Sequence, residues 1–166
     1  MRILGAGLIF TALSLLGMGF SSSLKAKEKR LYLMTKMLDD ISSMIRWNAL
    51  TVSDISERLY KSGSYEKLGF LCKLWEKLEE GVSFPLAWKE AVSGAAVLDE
   101  DEKTKLCELG QVLGSADIEG QLSSIALIQT EIGKMHDEQA EKYRTKGRLY
   151  RTVGVTVGAM AGIMII

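Results

Sequence analysis

Few side chains in this sequence are of types that carry chemistry, and their spacing decides what each is for. His136 is the sole histidine among 166 residues. It falls in a polar helical stretch where the sequence marks no orienting partner, which reads as a surface residue rather than a general base. Cys72 and Cys107 lack metal-ligand spacing and each falls on an apolar helical face, as small core residues in a reducing compartment do; no disulfide is expected between them. The acidic run Asp99–Glu102 offers carboxylates to a cation. It lacks the alternating ligands and glycine of a calcium loop, so helix capping explains it better. No glycine-rich phosphate loop with a following lysine occurs, which argues against ATP hydrolysis by this chain. The expectation is a protein that is not an enzyme, with no catalytic residue, cofactor or metal.

The elements that would position any site are helical. A single proline and few β-branched residues between positions 25 and 150 argue against a sandwich or barrel, which needs many short strands and turns. The charges balance at 21 basic and 21 acidic, so there is no general polyelectrolyte attraction and nucleic acid is not an expected partner.

Charge is nearly absent from both ends. Ile3 to Phe20 is 18 residues without a charge, roughly 27 Å as a helix, close to the hydrocarbon core of a bilayer. Val153 to Ile166 adds 14 uncharged residues, short of a span unless Leu149 and Tyr150 join and Arg151 snorkels. Lys25, Lys27, Lys29 and Arg30 follow the first segment, and Lys142, Arg144, Lys146, Arg148 and Arg151 precede the second. The positive-inside rule puts both flanks in the cytoplasm, giving a hairpin with both termini outside. The domain organisation expected is an N-terminal transmembrane anchor over 1–23, a cytoplasmic helical bundle over 24–148 and a C-terminal transmembrane helix over 149–166. The alternative is a cleaved signal peptide ending near Gly17-Met18-Gly19, or a tail-anchored helical interaction protein. Gly154, Gly158 and Gly162 form a small-residue ridge that suits close packing of membrane helices. It serves the first anchor, a second copy or another subunit, or has no specific role.

Between the anchors, apolar residues recur at three- and four-residue spacing. Leu24–Asn48 buries Leu31, Met34, Met37, Leu38, Ile41, Met44 and Ile45 on one face. Thr51 and Asp54 have capping-box spacing for a short second helix. Tyr65–Glu80 reads as a third helix with Leu68, Leu71, Cys72, Trp75 and Leu78 inward, closed by Gly81. Pro85 suits the first turn of a fourth, offering Leu86, Trp88 and Ala91 to the core. Asp99 and Glu102 open a fifth that runs to Leu113. Gly110 inside it costs about 1 kcal/mol of helix propensity, which asks for close approach of a neighbouring backbone. Asp117 caps the last helix, whose face thins into a polar stalk after Met135. The fold expected is all-α, an antiparallel six-helix bundle flanked by transmembrane helices.

The pattern Leu109-Gly110-x-x-Leu113-Gly114-x-x-Asp117-x-x-x-Gln121, the amphipathic helix running into a C-terminal anchor, and the start Ile3-Leu4-Gly5 together resemble the stage III sporulation protein AB family. The likeness covers nearly the whole chain, including the Thr51 turn and the Ala87-Trp88 pair. It departs at Val52, where a proline commonly follows the threonine, and at Trp47, where the family often has tyrosine. That family is itself similar to the cytoplasmic domain of the inner-membrane platform protein of type II secretion and type IV pilus systems. The resemblance implies a noncatalytic platform or adaptor in the mother-cell membrane around the forespore. Its partners would be sporulation channel subunits and a secretion-type cytoplasmic ATPase. The six motif residues then serve either the bundle's structure or direct partner contact, the structural role being the simpler.

Overall fold

Helix ends in this chain are set by local capping chemistry, and the capped segments pack through the apolar residues between them. A computed structural model describes residues 2–48, 50–115, 117–147, 152 and 156; the side chains of 2–21, 48, 146 and 147 lie outside that description. Six α-helices follow in order: α1 (Arg2–Asn48), α2 (Val52–Ser62), α3 (Leu71–Glu79), α4 (Phe84–Ser93), α5 (Glu100–Val112) and α6 (Ile118–Lys142). A 3-10 turn, Glu66–Leu68, precedes α3 and a π-helical turn, Tyr143–Gly147, follows α6. No strand occurs among the described residues, and the chain is an all-α helical bundle.

One compact unit comprises Arg30–Lys134; the other comprises Met1–Lys29 with Met135–Ile166. In the first, Leu31, Met34, Met37, Leu38 and Ile41 of α1 are fully buried, together with Leu74, Ala87, Trp88, Leu106, Leu109, Ile125 and Ile132 from the later helices. Neighbours in sequence are neighbours in space, α2 against α3, α3 against α4 and α4 against α5. α1 and α6 run antiparallel in this unit. Gln129 Nε2 donates to Asp39 Oδ1 at 2.6 Å, and the same groove brings Arg46 and Trp47 to Leu122.

The capping box expected from the Thr51–Asp54 spacing forms, and the Asp99–Glu102 acid pair expected at the start of α5 forms a second box. The Thr51 hydroxyl accepts from the Asp54 amide at 3.2 Å and Asp54 Oδ2 accepts from the Thr51 amide at 3.2 Å; Asp99 and Glu102 exchange the same pair of bonds at 3.0 Å. The third helix departs from expectation. It starts at Leu71, not Tyr65, because Gly69 takes a left-handed φ of 74° and ends the 3-10 turn there. A Cβ on Gly69 would stand 2.8 Å from Val97 Cγ2, so the strand of chain before α5 holds the break open to glycine alone. The break rephases the apolar stripe. Leu71 and Leu74 turn inward while Cys72 is exposed, correcting its expected place in the core. Leu86 is likewise 49% exposed, and Phe84, Ala87, Trp88 and Ala91 fill α4's inner face instead.

In the second unit, the stretch after Met135 is not wholly solvated. Gln139 is buried, and its Nε2 donates to the Leu24 carbonyl at 3.2 Å, a polar clip between α6 and α1. α1 runs as one helix over Arg2–Asn48. Among the described residues no helix is long and apolar enough to cross a membrane. The side chains of residues 2–21, on which the first expected anchor rests, and the second expected anchor, save Thr152 and Thr156, lie outside the described residues.

Candidate functional site

The residues singled out by spacing converge on the corner between α5 and α6. Leu109 and Gly110 are buried in the last turns of α5, and Leu113 ends the helix with an extended backbone, its amide donating to the Leu109 carbonyl at 3.0 Å. The feature facing Gly110 is not a neighbouring backbone but an indole. A Cβ there would lie 2.2 Å from Trp88 Cδ1 and 2.6 Å from Nε1. The ring is held over the glycine because Trp88 Nε1 donates to the Leu106 carbonyl at 2.6 Å, one helical turn before Gly110. Phe70 meets the indole edge-on and Phe84 meets it at a tilt, with centroids at 5.3 and 5.5 Å.

Gly114 then turns the chain with a left-handed φ of 89°, with Val52 Cγ1 3.3 Å from where a Cβ would stand. Asp117 opens α6: its carboxylate accepts from the amides of Glu119 at 3.2 Å and Gly120 at 3.0 Å. Gln121, buried, turns its amide back to donate to the Ser115 carbonyl, closing the corner on itself. Each polar atom of Asp117 and Gln121 named here is satisfied within the corner. The membrane-ridge glycines Gly154, Gly158 and Gly162 lie outside the described residues.

A buried ion pair was not marked by spacing. Glu102 is 0% exposed, and its Oε2 accepts from Arg30 Nε at 3.2 Å and Nη2 at 3.1 Å as well as from the Asp99 amide at 3.0 Å. Its Oε1 is buried without a hydrogen-bond partner. The sequence marked Glu102 as an acid at the start of its helix; nothing local marked a partner 72 residues away. Further bridges tie neighbouring helices. Lys105 Nζ reaches Glu131 of α6 at 2.6 Å, and Lys77 bonds Glu90 between α3 and α4. The Lys77–Glu90 bond raises the ammonium pKa and lowers the carboxyl pKa.

The candidate reactive groups are poorly set for reaction. The Cys72 thiol donates to Glu76 at 3.4 Å, and that bond, with some desolvation, pushes its pKa up; burial pushes Cys107 up against the opposing charge of Lys89. Thiols so held are weak nucleophiles at neutral pH. His136 sits 3.2 Å from Asp137, its neighbour in sequence, at the surface. Among the described residues no cluster of three histidine, cysteine, aspartate or glutamate side chains is placed to hold a metal ion.

The family model for stage III sporulation protein AB matches residues 2–166. The chain belongs to the stage III sporulation protein AB family. Its role is in sporulation. No curated protein and no solved structure matches it. In this stage III sporulation protein AB chain the motif residues build a closed corner, while large apolar side chains stand exposed elsewhere, Tyr32 and Leu127 among them and one at the end of α1. Trp47 is 78% exposed there, between a cleft of about 350 Å³ that holds Arg58 and Tyr65 and a smaller one of about 240 Å³ that holds Arg46 and Leu122.

Proposed function

We propose that the chain is a noncatalytic, membrane-anchored platform of the sporulation machinery, docking a secretion-type cytoplasmic ATPase at the mother-cell membrane around the forespore. The observation that carries this reading is the segregation of charge: two uncharged ends, each with basic residues on its inner flank, enclosing a charged helical bundle. The two anchors hold the bundle in the cytoplasm beside the other subunits of a transenvelope channel. The poorly nucleophilic thiols and the inward-turned corner favour a body that presents surface rather than chemistry. The class of partner follows from the proposed kinship of the family with secretion and pilus platform proteins. The glycine ridge suits packing against another membrane helix, including that of a second copy.

The full chain, reconstituted in detergent micelles, is expected to retain the purified ATPase of the same sporulating cell on an affinity column and to leave its basal turnover to the ATPase's own residues. Failure to retain it, with the bundle shown folded by circular dichroism, overturns the reading. An N-terminus beginning after Gly19 in the mature protein would favour a processed helical protein unconnected with secretion machinery.

A further inference from the structure

We infer that the basic residues where the two uncharged ends meet the bundle form a binding surface for anionic phospholipid headgroups. The inference rests on the membrane-anchored reading above and names the class of lipid it would meet. Its ground is where acid is missing. All 21 acidic residues lie between Glu28 and Glu141, so residues 1–27 and 142–166 hold charge of one sign only: Arg2, Lys25 and Lys27 in the first stretch, Lys142, Arg144, Lys146, Arg148 and Arg151 in the second. The balanced total conceals this. The unit made of Met1–Lys29 and Met135–Ile166 carries nine basic residues against four acidic ones, whereas Arg30–Lys134 carries twelve against seventeen.

The bond from Gln139 Nε2 to the Leu24 carbonyl, 3.2 Å, fixes α6 to α1 between the two basic runs. Because the helices are antiparallel, α1 runs back from that bond toward Phe20 while α6 runs on toward Lys142 and the turn Tyr143–Gly147. Lys142 and Arg144 follow Gln139 by about 5–8 Å of helix axis, which brings them level with the end of the uncharged stretch. Lys25 stands just on the other side of the bond. The three cations therefore gather within about 9 Å of axis, comparable with a headgroup layer. Lys25, Lys29 and Arg144 are exposed and make no ion pair among the described residues. The acids at hand do not cancel them. Glu138 lies 3.9 Å from Lys142 with both side chains more than half exposed, so water screens the pair, and Asp137 lies beside His136. Only Glu28 and Glu141 remain.

The excess calls for an external anion, and the neighbouring sequence says which. Lys25 follows the uncharged stretch Ile3–Phe20, and Arg151 precedes the uncharged stretch Val153–Ile166. A phosphate in open water would meet the cations and leave those stretches uncovered; a lipid phosphate meets the cations while hydrocarbon covers their neighbours. Anionic leaflets attract lysine and arginine clusters placed in this way. The topology needs only that these cations stay on one side of the bilayer. Holding anionic headgroups is a further property, read as a preference for one lipid over another.

The test uses the full chain, purified in neutral detergent and passed through mixed micelles of equal phosphatidylglycerol and phosphatidylcholine, with mass spectrometry counting the lipids each protein retains. Phosphatidylglycerol should be retained about tenfold over phosphatidylcholine, and the preference should fall as salt rises. Lys25→Gln, Lys29→Gln, Arg144→Gln and Arg148→Gln together should bring the ratio close to parity. Lys36→Gln, Lys67→Gln, Lys73→Gln and Lys89→Gln together, at exposed positions of the Arg30–Lys134 unit, should leave it unchanged. Circular dichroism should be unaltered in both variants. Equal retention of the two lipids by the wild type, an unaltered ratio in the first variant, or an equal loss in the second overturns the inference. So does displacement of phosphatidylglycerol by inorganic phosphate or by an oligonucleotide at equal phosphate concentration. Alkaline extraction of the chain from phosphatidylcholine vesicles decides the anchored reading separately. A chain that resists extraction is anchored whatever lipid it prefers, and the micelle ratio decides the inference. A chain that washes off is not anchored; flotation with phosphatidylglycerol vesicles, lost in the first variant, then carries the inference alone, and no flotation overturns both.

Discussion

Gly110 and Trp88 are two halves of one contact, and magnitudes decide what happens when either changes. Adding a methyl at position 110 improves helix propensity by about 1 kcal/mol. It also drives a carbon to 2.2 Å from a rigid ring and pulls the indole NH from the Leu106 carbonyl, 2.6 Å away. Overpacking costs about 1–3 kcal/mol and an orphaned buried donor about as much again, so the steric side wins. Gly110→Ala is expected to lower stability by about 2 kcal/mol in denaturant melts of the full chain in micelles, and Gly110→Ile by more. In a Trp88→Leu background the cost of the same alanine should fall below half; an additive cycle would show that the two residues do not meet. Tyr65 offers a second test, through pH. Burial and its bond to Asp40 raise the phenol's pKa above its ordinary value near 10, so the fold prefers the neutral form. The stability this contributes is complete below pH 10 and is lost as pH climbs toward the raised value. Lysines with raised pKa, Lys77 and Lys105, lose theirs in the same direction, so the readout is a difference. Tyr65→Phe should cost about 1 kcal/mol at pH 7 and show a shallower decline above pH 10 than the wild type. Equal slopes would mean that the fold does not raise the phenol's pKa.

At the scale of elements, what the chain reveals of itself is what lies within one turn. Thr51 with Asp54 and Asp99 with Glu102 form their boxes because every partner is three residues away, and the α1 stripe is legible because each inward residue repeats its neighbour's spacing. The α3 boundary was hidden because the apolar spacing of Leu68 and Leu71 runs across Gly69, whose left-handed φ of 74° ends the 3-10 turn there. Once that break shifted the phase, Cys72 moved outward although its spacing from Leu68 suits a core position. The corner motif from Leu109 to Gln121 could be picked out as a pattern, but not that an indole from α4 is the reason for Gly110. The Arg30–Glu102 pair was hidden for the same reason of distance, and it fastens α1 to the start of α5. Its partners are unequal, since Glu102 is enclosed while Arg30 keeps some contact with water, its side chain 19% exposed. Removing the cation strands a buried carboxylate whose Oε1 already lacks a donor. Arg30→Met is therefore expected to cost toward the low end of about 3–5 kcal/mol. Glu102→Gln, which removes the charge and keeps an oxygen for the Asp99 amide, should cost less. Arg30→Met with Glu102→Gln together should recover part of the loss; a double variant as unstable as the two losses added would show that the pair does not interact.

For the whole molecule, the platform reading stands or falls on which side of the membrane the bundle lies, and the protein carries its own reporters. Cys72 is exposed on α3 in the middle of the chain, whereas Cys107 is partly covered on α5. Both thiols titrate above their ordinary value, so labelling near pH 8 is slowed rather than abolished, and Cys72 should react first because nothing covers it. The basic flanks predict that a membrane-impermeant maleimide added to intact cells leaves Cys72 unmodified, and that the same reagent modifies it after the membrane is opened. Cys72→Ser should abolish the fast phase of labelling in opened cells and leave a slower one from Cys107. Fast labelling from outside intact cells, lost in Cys72→Ser, would put the bundle on the wrong side of the bilayer for a cytoplasmic ATPase.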